Sequence, residues 1–450
     1  MGRIFGTDGV RGVANADLTP ELAFRLGRAG AAVVAGVPDR GRPLVVGRDT
    51  RLSGTMLEAA VVAGIASTGH DTLSLGVVPT PGVACVTVAT GAAAGVMISA
   101  SHNPIEYNGI KFFGPDGFKL TDAQELAIEA ALEDDSGIAR ATHHDVGIAR
   151  TSHDLLAHYV DAVVAGGADL SRLTVVVDAA FGAAYRVGPQ ALARLGATVE
   201  PLHAQDDGAR INVDCGSTDL STLAARVREL AAARPHAHVL GVAFDGDADR
   251  ALFVDETGAT IDGDHVMLIL ACEKKRRGEL RGDAIVGTVM SNIGLERALG
   301  AQGIALLRAA VGDRYVLELM RARGLNFGGE QSGHIIDLDR NTTGDGPATA
   351  VALLSVVARD ETTLHDLASA LVVAPQILLN IRTPNKRVLE DRSVRAAIES
   401  AERELGAAGR ILVRPSGTEP LIRVMIEGDD RANIDRLAQA LAEKVRSAAQ

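Results

Sequence analysis

Residues 245–250 read DGDADR, three aspartates at alternate positions directly after the apolar run VLGVAF. Held close together, Asp245, Asp247 and Asp249 repel one another unless a hard cation neutralises them, and an all-oxygen set suits Mg2+ better than Zn2+. A solvated acidic turn is the plain alternative, but the apolar run before it argues for the end of a buried strand. A calcium loop is a closer rival, with Glu256 at its twelfth position. Arg250 occupies the place that needs Gly, however, and ALFV continues as a strand where a loop is required, so that reading is rejected.

A second stretch, GVMISASHNP (95–104), is an apolar run that ends on Ser99, Ser101, His102 and Asn103. No GxSxG elbow surrounds Ser101, so acyl-transfer hydrolysis is poorly supported. A Ser101 hydroxyl meeting a cation held by the aspartates makes phosphoryl transfer the natural chemistry, since that reaction needs positioning and positive charge. Arg11 in TDGVRG, Arg48 and Arg51 in GRDTRLSG, and Lys111 in NGIKFF can supply the charge, although each is a residue type that ordinarily sits in solvent. His102 and Lys111 are candidate bases, and Lys111 would need a lowered pKa for that role.

Two further loops look suited to binding. RPSGTEP (414–420) puts Ser416, Gly417 and Thr418 at a turn between two strands, where N–H groups and hydroxyls form an anion nest. Arg414 and Arg423 flank it, as a phosphate that is held rather than transferred would require; a plain hairpin is the alternative. GGEQSGH (328–334) offers Glu330, Ser332 and His334 to sugar hydroxyls or an amine.

The elements that position these loops follow a pattern that occurs three times. Strand, helix, strand is read at 44–47, 54–68 and 72–78, then at 173–178, 182–196 and 197–203, then at 284–289, 293–300 and 304–311. Each copy is followed by one more strand, GVMIS, HVLGVAFD or LNFGGE, and each chemical loop lies just past it. Apolar runs alternating with amphipathic helices argue for largely parallel, buried strands whose carboxyl ends carry the ligand sites. The remainder reads as strand, loop, strand and a helix over 431–449, a smaller α+β module. The expected divisions are 1–152, 153–257, 258–370 and 371–450, with linkers near 134–152, 256–263 and 370–376.

Bulk properties narrow the field. A chain of 450 residues exceeds one growing core. Its net charge of −12 argues against nucleic acid or an anionic membrane as partner. Cys85, Cys215 and Cys272 form no CxxC pair, which suggests neither disulfides nor zinc and is consistent with a reducing cytoplasm. The N-terminus lacks the apolar core of a signal peptide. The uncharged stretch 72–101 is broken by Pro79 and Pro81, so it reads as strand, helix and strand rather than a membrane span.

FGTDGVRG, GVMISASHNPIEYNGIKFF, FDGDADR, GGEQSGHII and RPSGTEPLIRVM, in this order along the chain, closely resemble the α-D-phosphohexomutase superfamily. FGTDGVRG and Gln331 resemble its phosphoglucosamine mutase branch; the alternative is a phosphomannomutase or phosphoglucomutase, which more often carries Met in that slot. The resemblance implies four domains around one cleft, the first three with mixed α/β sheets. It implies a phosphoserine at Ser101, one Mg2+ held by Asp245, Asp247, Asp249 and the phosphoserine, and catalytic roles for Ser101, His102, Lys111, Arg11 and Arg250. Arg414 to Thr418 with Arg423 would grip the other phosphate. Glu330, Ser332 and His334 would face the sugar, with Gly312, Asp313 and Arg314 on a nearby loop.

The implied reaction is ping-pong, converting glucosamine 6-phosphate to glucosamine 1-phosphate through a 1,6-bisphosphate that turns end for end. A hexosamine or hexose 1,6-bisphosphate would serve as activator, a small sugar phosphate as the partner, and a homodimer is an assembly open to the chain. One departure is Asp219 in CGSTDL, where similar enzymes usually have His. Two rivals stay open here: a Mg2+-dependent sugar phosphatase with Asp245 as nucleophile, and a sugar-phosphate sensor.

Overall fold

The computed structural model describes residues 4–6, 8–234, 237–415 and 420–449. The chain divides into two compact units, one comprising the chain to Thr288 together with Leu307–Ala368, the other Val289–Leu306 with the chain from Ser369 onward.

The first unit begins with a six-stranded sheet of β1 (Val10–Val13), β2 (Leu44–Arg48), β3 (Thr72–Val77), β4 (Ala94–Ile98), β5 (Tyr107–Phe113) and β6 (Ala149–Thr151), in the order β1-β5-β4-β2-β3-β6. Strands β2, β3, β4 and β6 are parallel, while β5 runs antiparallel to both β4 and β1. β4 is buried along its whole length, as its uninterrupted apolar sequence requires. The helices Pro20–Gly30 and Gly54–Ala66 meet backbone to backbone. A Cβ on Gly64 would lie 2.0 Å from the Phe24 carbonyl oxygen, so glycine is what permits this contact.

A second sheet joins β7 (Leu173–Asp178), β8 (Thr198–Leu202), β9 (His238–Phe244), β10 (Ala251–Val254) and β11 (Thr260–Ile261), in the order β11-β10-β9-β7-β8. The strands β7, β8 and β9 are parallel, and β10 returns antiparallel to β9. A third has the order β13-β12-β14-β15, from β12 (Ala284–Thr288), β13 (Ala305–Ala309), β14 (Phe327–Gly329) and β15 (Ile335–Asp337). Here β12 and β14 are parallel and β15 antiparallel.

The sheets are mixed, as the resemblance implies: parallel cores, which the apolar runs suggest, are joined by antiparallel strands that those runs do not distinguish. Each parallel core ends in an antiparallel hairpin, and the three hairpin turns, β4–β5, β9–β10 and β14–β15, are the stretches that carry SASHNP, DGDADR and EQSGH. Burial on both faces removes the alternation that distinguishes an antiparallel strand in sequence. Two expected linkers also contribute strands. β6 is exposed at all three residues and lies at a sheet edge, so no apolar pattern marks it, and β11 is a two-residue pairing with β10.

The second unit has an antiparallel sheet of β16 (Gln376–Arg382), β17 (Gly409–Pro415) and β18 (Leu421–Gly428) in the order β16-β18-β17, packed with the helices Arg392–Leu405 and Arg431–Ala449. Helix Ile293–Ala301 belongs here too: buried Glu427 accepts the Ile293 N–H at 3.1 Å and pairs with Arg410 at 2.8 Å. Among the described residues no helix is long and apolar enough to cross a membrane.

Within the first unit, the parts are tied by a buried polar junction. Asp345 accepts the Tyr159 hydroxyl at 2.7 Å, the Asn341 amide at 2.8 Å and the Ala348 N–H that opens helix Gly346–Arg359. Asn341 also reaches the Pro81 carbonyl at 3.2 Å. Tyr159→Phe removes one donor to a buried carboxylate and should cost about 1–3 kcal/mol, read as a lowered urea midpoint of the transition that reports this unit.

Candidate active site

Ser101 follows β4 at a left-handed turn, φ +53°, a conformation that costs a non-glycine residue energy and that the surroundings must enforce. Its Oγ donates to Asp245 Oδ2 at 2.5 Å and lies 3.2 Å from His102 Nδ1. The turns SASHNP and DGDADR therefore touch. Their approach depends on Gly246, where a Cβ would come 2.5 Å from the Ser101 carbonyl oxygen.

Asp245, Asp247 and Asp249 are buried, and a carboxylate oxygen from each lies within 4.8 Å of the others. Burial, then repulsion from Asp249 and Asp247, pushes Asp245 well above the usual carboxylate range. Burial and Asp247 also raise Asp249. Asp247 moves the other way: burial opposes its charge too, but Lys111 and the hydroxyl of Thr80, which donates at 2.6 Å, hold it low. The Oδ1 atoms of Asp247 and Asp249 are buried without a hydrogen-bond partner. Converging, mutually repelling carboxylates with orphaned oxygens are the donor set a hard metal ion satisfies. The three aspartates fit such an ion.

The cations around the cluster are arranged differently from expectation. Lys111 Nζ lies 2.8 Å from both Asp247 and Asp8. Burial works against its charge, yet Asp247 and Asp8 outweigh burial and raise its pKa, the opposite of the lowering a base would need. His102 is shifted down to about 4, by burial first and then by Arg250 and Arg11, so its imidazole is neutral near pH 7. Arg250 lies 3.9 Å from Asp249, and Arg11 pairs with Asp8. Arg48 is engaged by Glu58 at 3.0 Å and Arg51 by Asp49 at 3.1 Å, so neither supplies free charge beside Ser101.

Asp8 and Lys119 were missed in the sequence. Asp8 receives Lys119 at 2.6 Å as well as Lys111 and Arg11, and Lys119 also binds Asp313. Burial opposes the charge of Asp8, but Lys111, Lys119 and Arg11 together hold its carboxyl well below the usual range. Asp8 lies inside FGTDGVRG, yet a single Asp in a glycine-rich loop carries no spacing signal.

On the other side, Glu330 Oε1 accepts the Gly312 N–H at 3.1 Å, which brings GGEQSGH to the GDR turn. Ser332 is half-buried in that turn. His334 is buried with Nε2 3.8 Å from Asp249 and 3.7 Å from Asp313, so it stands against the carboxylates. Arg314 is not delivered to this group: its guanidinium pairs with Asp122, Glu125 and Glu318. In the second unit, Arg414 and Arg423 are directly opposed across β17 and β18, and burial followed by Arg423 lowers the pKa of Arg414. Like charges at paired positions disfavour one another and welcome an anion. Ser416, Gly417 and Thr418 lie outside the described residues.

Two remaining sequence features have local uses. Glu256 accepts the Leu364 and His365 N–H groups, which leaves no role for it in a calcium loop. Asp219 accepts the Ser221 N–H at the start of helix Ser221–Ala233.

Three mixed α/β sheets present a serine hydroxyl to a buried aspartate cluster, an arrangement suited to phosphoryl transfer. Models of Phosphoglucomutase/phosphomannomutase match along the chain: alpha/beta/alpha domain I at 2–137, domain II at 157–258, domain III at 262–374 and the C-terminal domain at 378–444. The chain belongs to that family. Among its relatives are proteins named phosphoglucosamine mutase from Desulforamulus reducens, 50% identical, and Symbiobacterium thermophilum, 52% identical, each matched over 99% of both chains. A solved phosphoglucomutase/phosphomannomutase family protein from Burkholderia thailandensis superposes with a TM-score of 0.84 at 26% identity, over 99% of this chain and 97% of that one. An Aspergillus fumigatus N-acetylphosphoglucosamine mutase, solved with GlcNAc-6P and magnesium, shares the fold at 18% identity and a TM-score of 0.65, over 99% of this chain and 96% of that one.

Asp249→Asn removes one of three repelling carboxylates. The variant stripped of divalent ions should melt no lower than stripped wild type, and should lose the stabilisation, about 2.7 kcal/mol at about a hundredfold excess over Kd, that Mg2+ gives wild type in calorimetry.

Proposed function

We propose that the chain is a phosphoglucosamine mutase acting through a phosphoserine at Ser101, interconverting glucosamine 6-phosphate and glucosamine 1-phosphate. The observation that carries the reading is the Ser101 hydroxyl set against Asp245 in a cluster with orphaned carboxylate oxygens, in a chain whose full-length relatives bear that name.

Asp245, Asp247 and Asp249 would hold Mg2+, which when bound would supply charge stabilisation to the oxygens of the transferring group. In the first half-reaction the bond from phosphorus to Ser101 Oγ breaks and a bond to the sugar O1 forms. The proton leaving the sugar hydroxyl ends on Ser101 Oγ, and neutral His102, 3.2 Å from that oxygen, is placed to relay it. Lys111 stays an ammonium ion that holds Asp247 and adds positive charge with Arg11 and Arg250. The resulting 1,6-bisphosphate turns end for end; the bond from phosphorus to O6 then breaks as one to Ser101 Oγ forms, the Ser101 proton passes to O6, and glucosamine 1-phosphate leaves.

Each end of the intermediate is anchored once and reactive once, so the phosphate that is not transferring needs its own holder. Arg414, Ser416, Gly417, Thr418 and Arg423 take that role. Glu330 and Ser332, with Gly312, bond the sugar, while Asp313 and His334 brace the carboxylate side. The same reading carries the division at about residues 152, 257 and 370, a cytoplasmic setting, a 1,6-bisphosphate activator and, as an assembly, a homodimer.

Ser101→Ala tests it: the variant should bind glucosamine 6-phosphate in calorimetry but not turn it over, whereas wild type should prefer this substrate to glucose and mannose 6-phosphates. A site that bonds the C2 amine can discriminate by up to about 10⁴–10⁵-fold. Full activity in the variant, or a preference for either hexose, contradicts the proposal.

A further inference from the structure

We infer that the buried Asp49–Arg51 pair is a positioning device that fixes both sides of the Ser101 peptide backbone, and through it the direction of the nucleophile. The inference rests on the phosphoserine reading above. Both side chains are fully buried, and all five guanidinium N–H donors of Arg51 have an acceptor. Nε donates to Asp49 at 3.1 Å. One terminal nitrogen donates to the carbonyls of Pro104 at 2.5 Å and Tyr107 at 2.9 Å, the other to those of Ser101 at 2.9 Å and Asn103 at 2.7 Å. One planar group therefore gathers four carbonyls spread over the whole turn from Ser101 to the start of β5.

The N–H of Ser101 is held from the other member of the pair. Asp49 Oδ2 accepts the Ser99 hydroxyl at 2.6 Å, which turns a Ser99 Oγ lone pair toward the Ser101 N–H at 2.9 Å. The carbonyl of Ser101 also accepts from Asn212 at 2.9 Å, a side chain from the region of the second sheet. These contacts account for how Ser101 stays at φ +53°, a strained value that local sequence would not hold. They place Arg51 in loop geometry, where its position in GRDTRLSG suggested charge beside the reaction. Lysine, with three donors on a flexible stem, cannot replace the fork.

The test uses two variants of the full chain loaded with phosphoserine, Arg51→Lys and Ser99→Ala. Misplacing a reacting group by about 1 Å costs about 100-fold, so Arg51→Lys should lose about that much in kcat with KM for the sugar phosphate little changed. Ser99→Ala, which removes the hold on the Ser101 N–H and one donor to Asp49 but leaves the Arg51 fork in place, should lose about tenfold, the scale of one hydrogen bond. The phosphorus NMR signal of phosphoserine should be single in wild type and broadened or split in both variants. The inference is overturned by wild-type kcat and an unchanged signal in the variants, and equally by a kcat loss that tracks a fall in melting temperature and a rise in KM with the signal unchanged. Should Arg51→Lys fail to fold, Ser99→Ala decides alone. A wild-type sample that never carries phosphoserine removes the underlying reading instead.

Discussion

Three carboxylates buried within 4.8 Å of one another are the constraint around which the first unit is organised. Water would screen them at a surface; inside the protein each disfavours the charge of the next. The chain answers with one fixed cation, Lys111, between Asp247 and Asp8, with Arg11 and Arg250 at the margins, and with oxygens left open for a metal. The cluster is thus built to be completed. A hydroxyl held 2.5 Å from Asp245 would lie beside a cation bound there, and such a cation would offset the negative charge that phosphoryl transfer develops.

The sheets deliver these groups by repeating one device. A parallel core ends in an antiparallel hairpin, and the turn of that hairpin carries the chemistry: Ser101 between β4 and β5, the aspartates between β9 and β10, Glu330 to His334 between β14 and β15. The aspartate hairpin is tied to its neighbours by backbone bonds, Ala251 N–H to the Gly333 carbonyl at 3.0 Å and the N–H of Thr80, which opens helix Thr80–Ala89, to the Asp247 carbonyl at 2.9 Å. Rigid strand ends fix the reacting groups more tightly than free loops do.

What sequence could show follows from how local each signal is. Alternate aspartates after an apolar run, and a polar cluster ending one, are contiguous patterns, so the cluster and Ser101 were legible, as was the threefold strand and helix pattern. Strand direction was not, because fully buried strands lose their alternation, and β6, exposed throughout, never had one. Asp8, Lys119 and Asp313 join from positions 111 and 194 residues apart, a relation that no spacing encodes. Lys111 and Arg51 were recognised as cations near the site, but the sign of a pKa shift and the direction of a guanidinium depend on neighbours that only the fold brings in.

In the proposed function, Ser101 carries the phosphoryl group between the two ends of the sugar. That role is tested most directly by labelling the enzyme at Ser101 with radioactive phosphate and following the label through a single turnover with glucosamine 6-phosphate. The account requires the label to leave Ser101 and appear first in the 1,6-bisphosphate and then in sugar monophosphate. Label that stays on Ser101 while product forms, or that is released as inorganic phosphate, would contradict it.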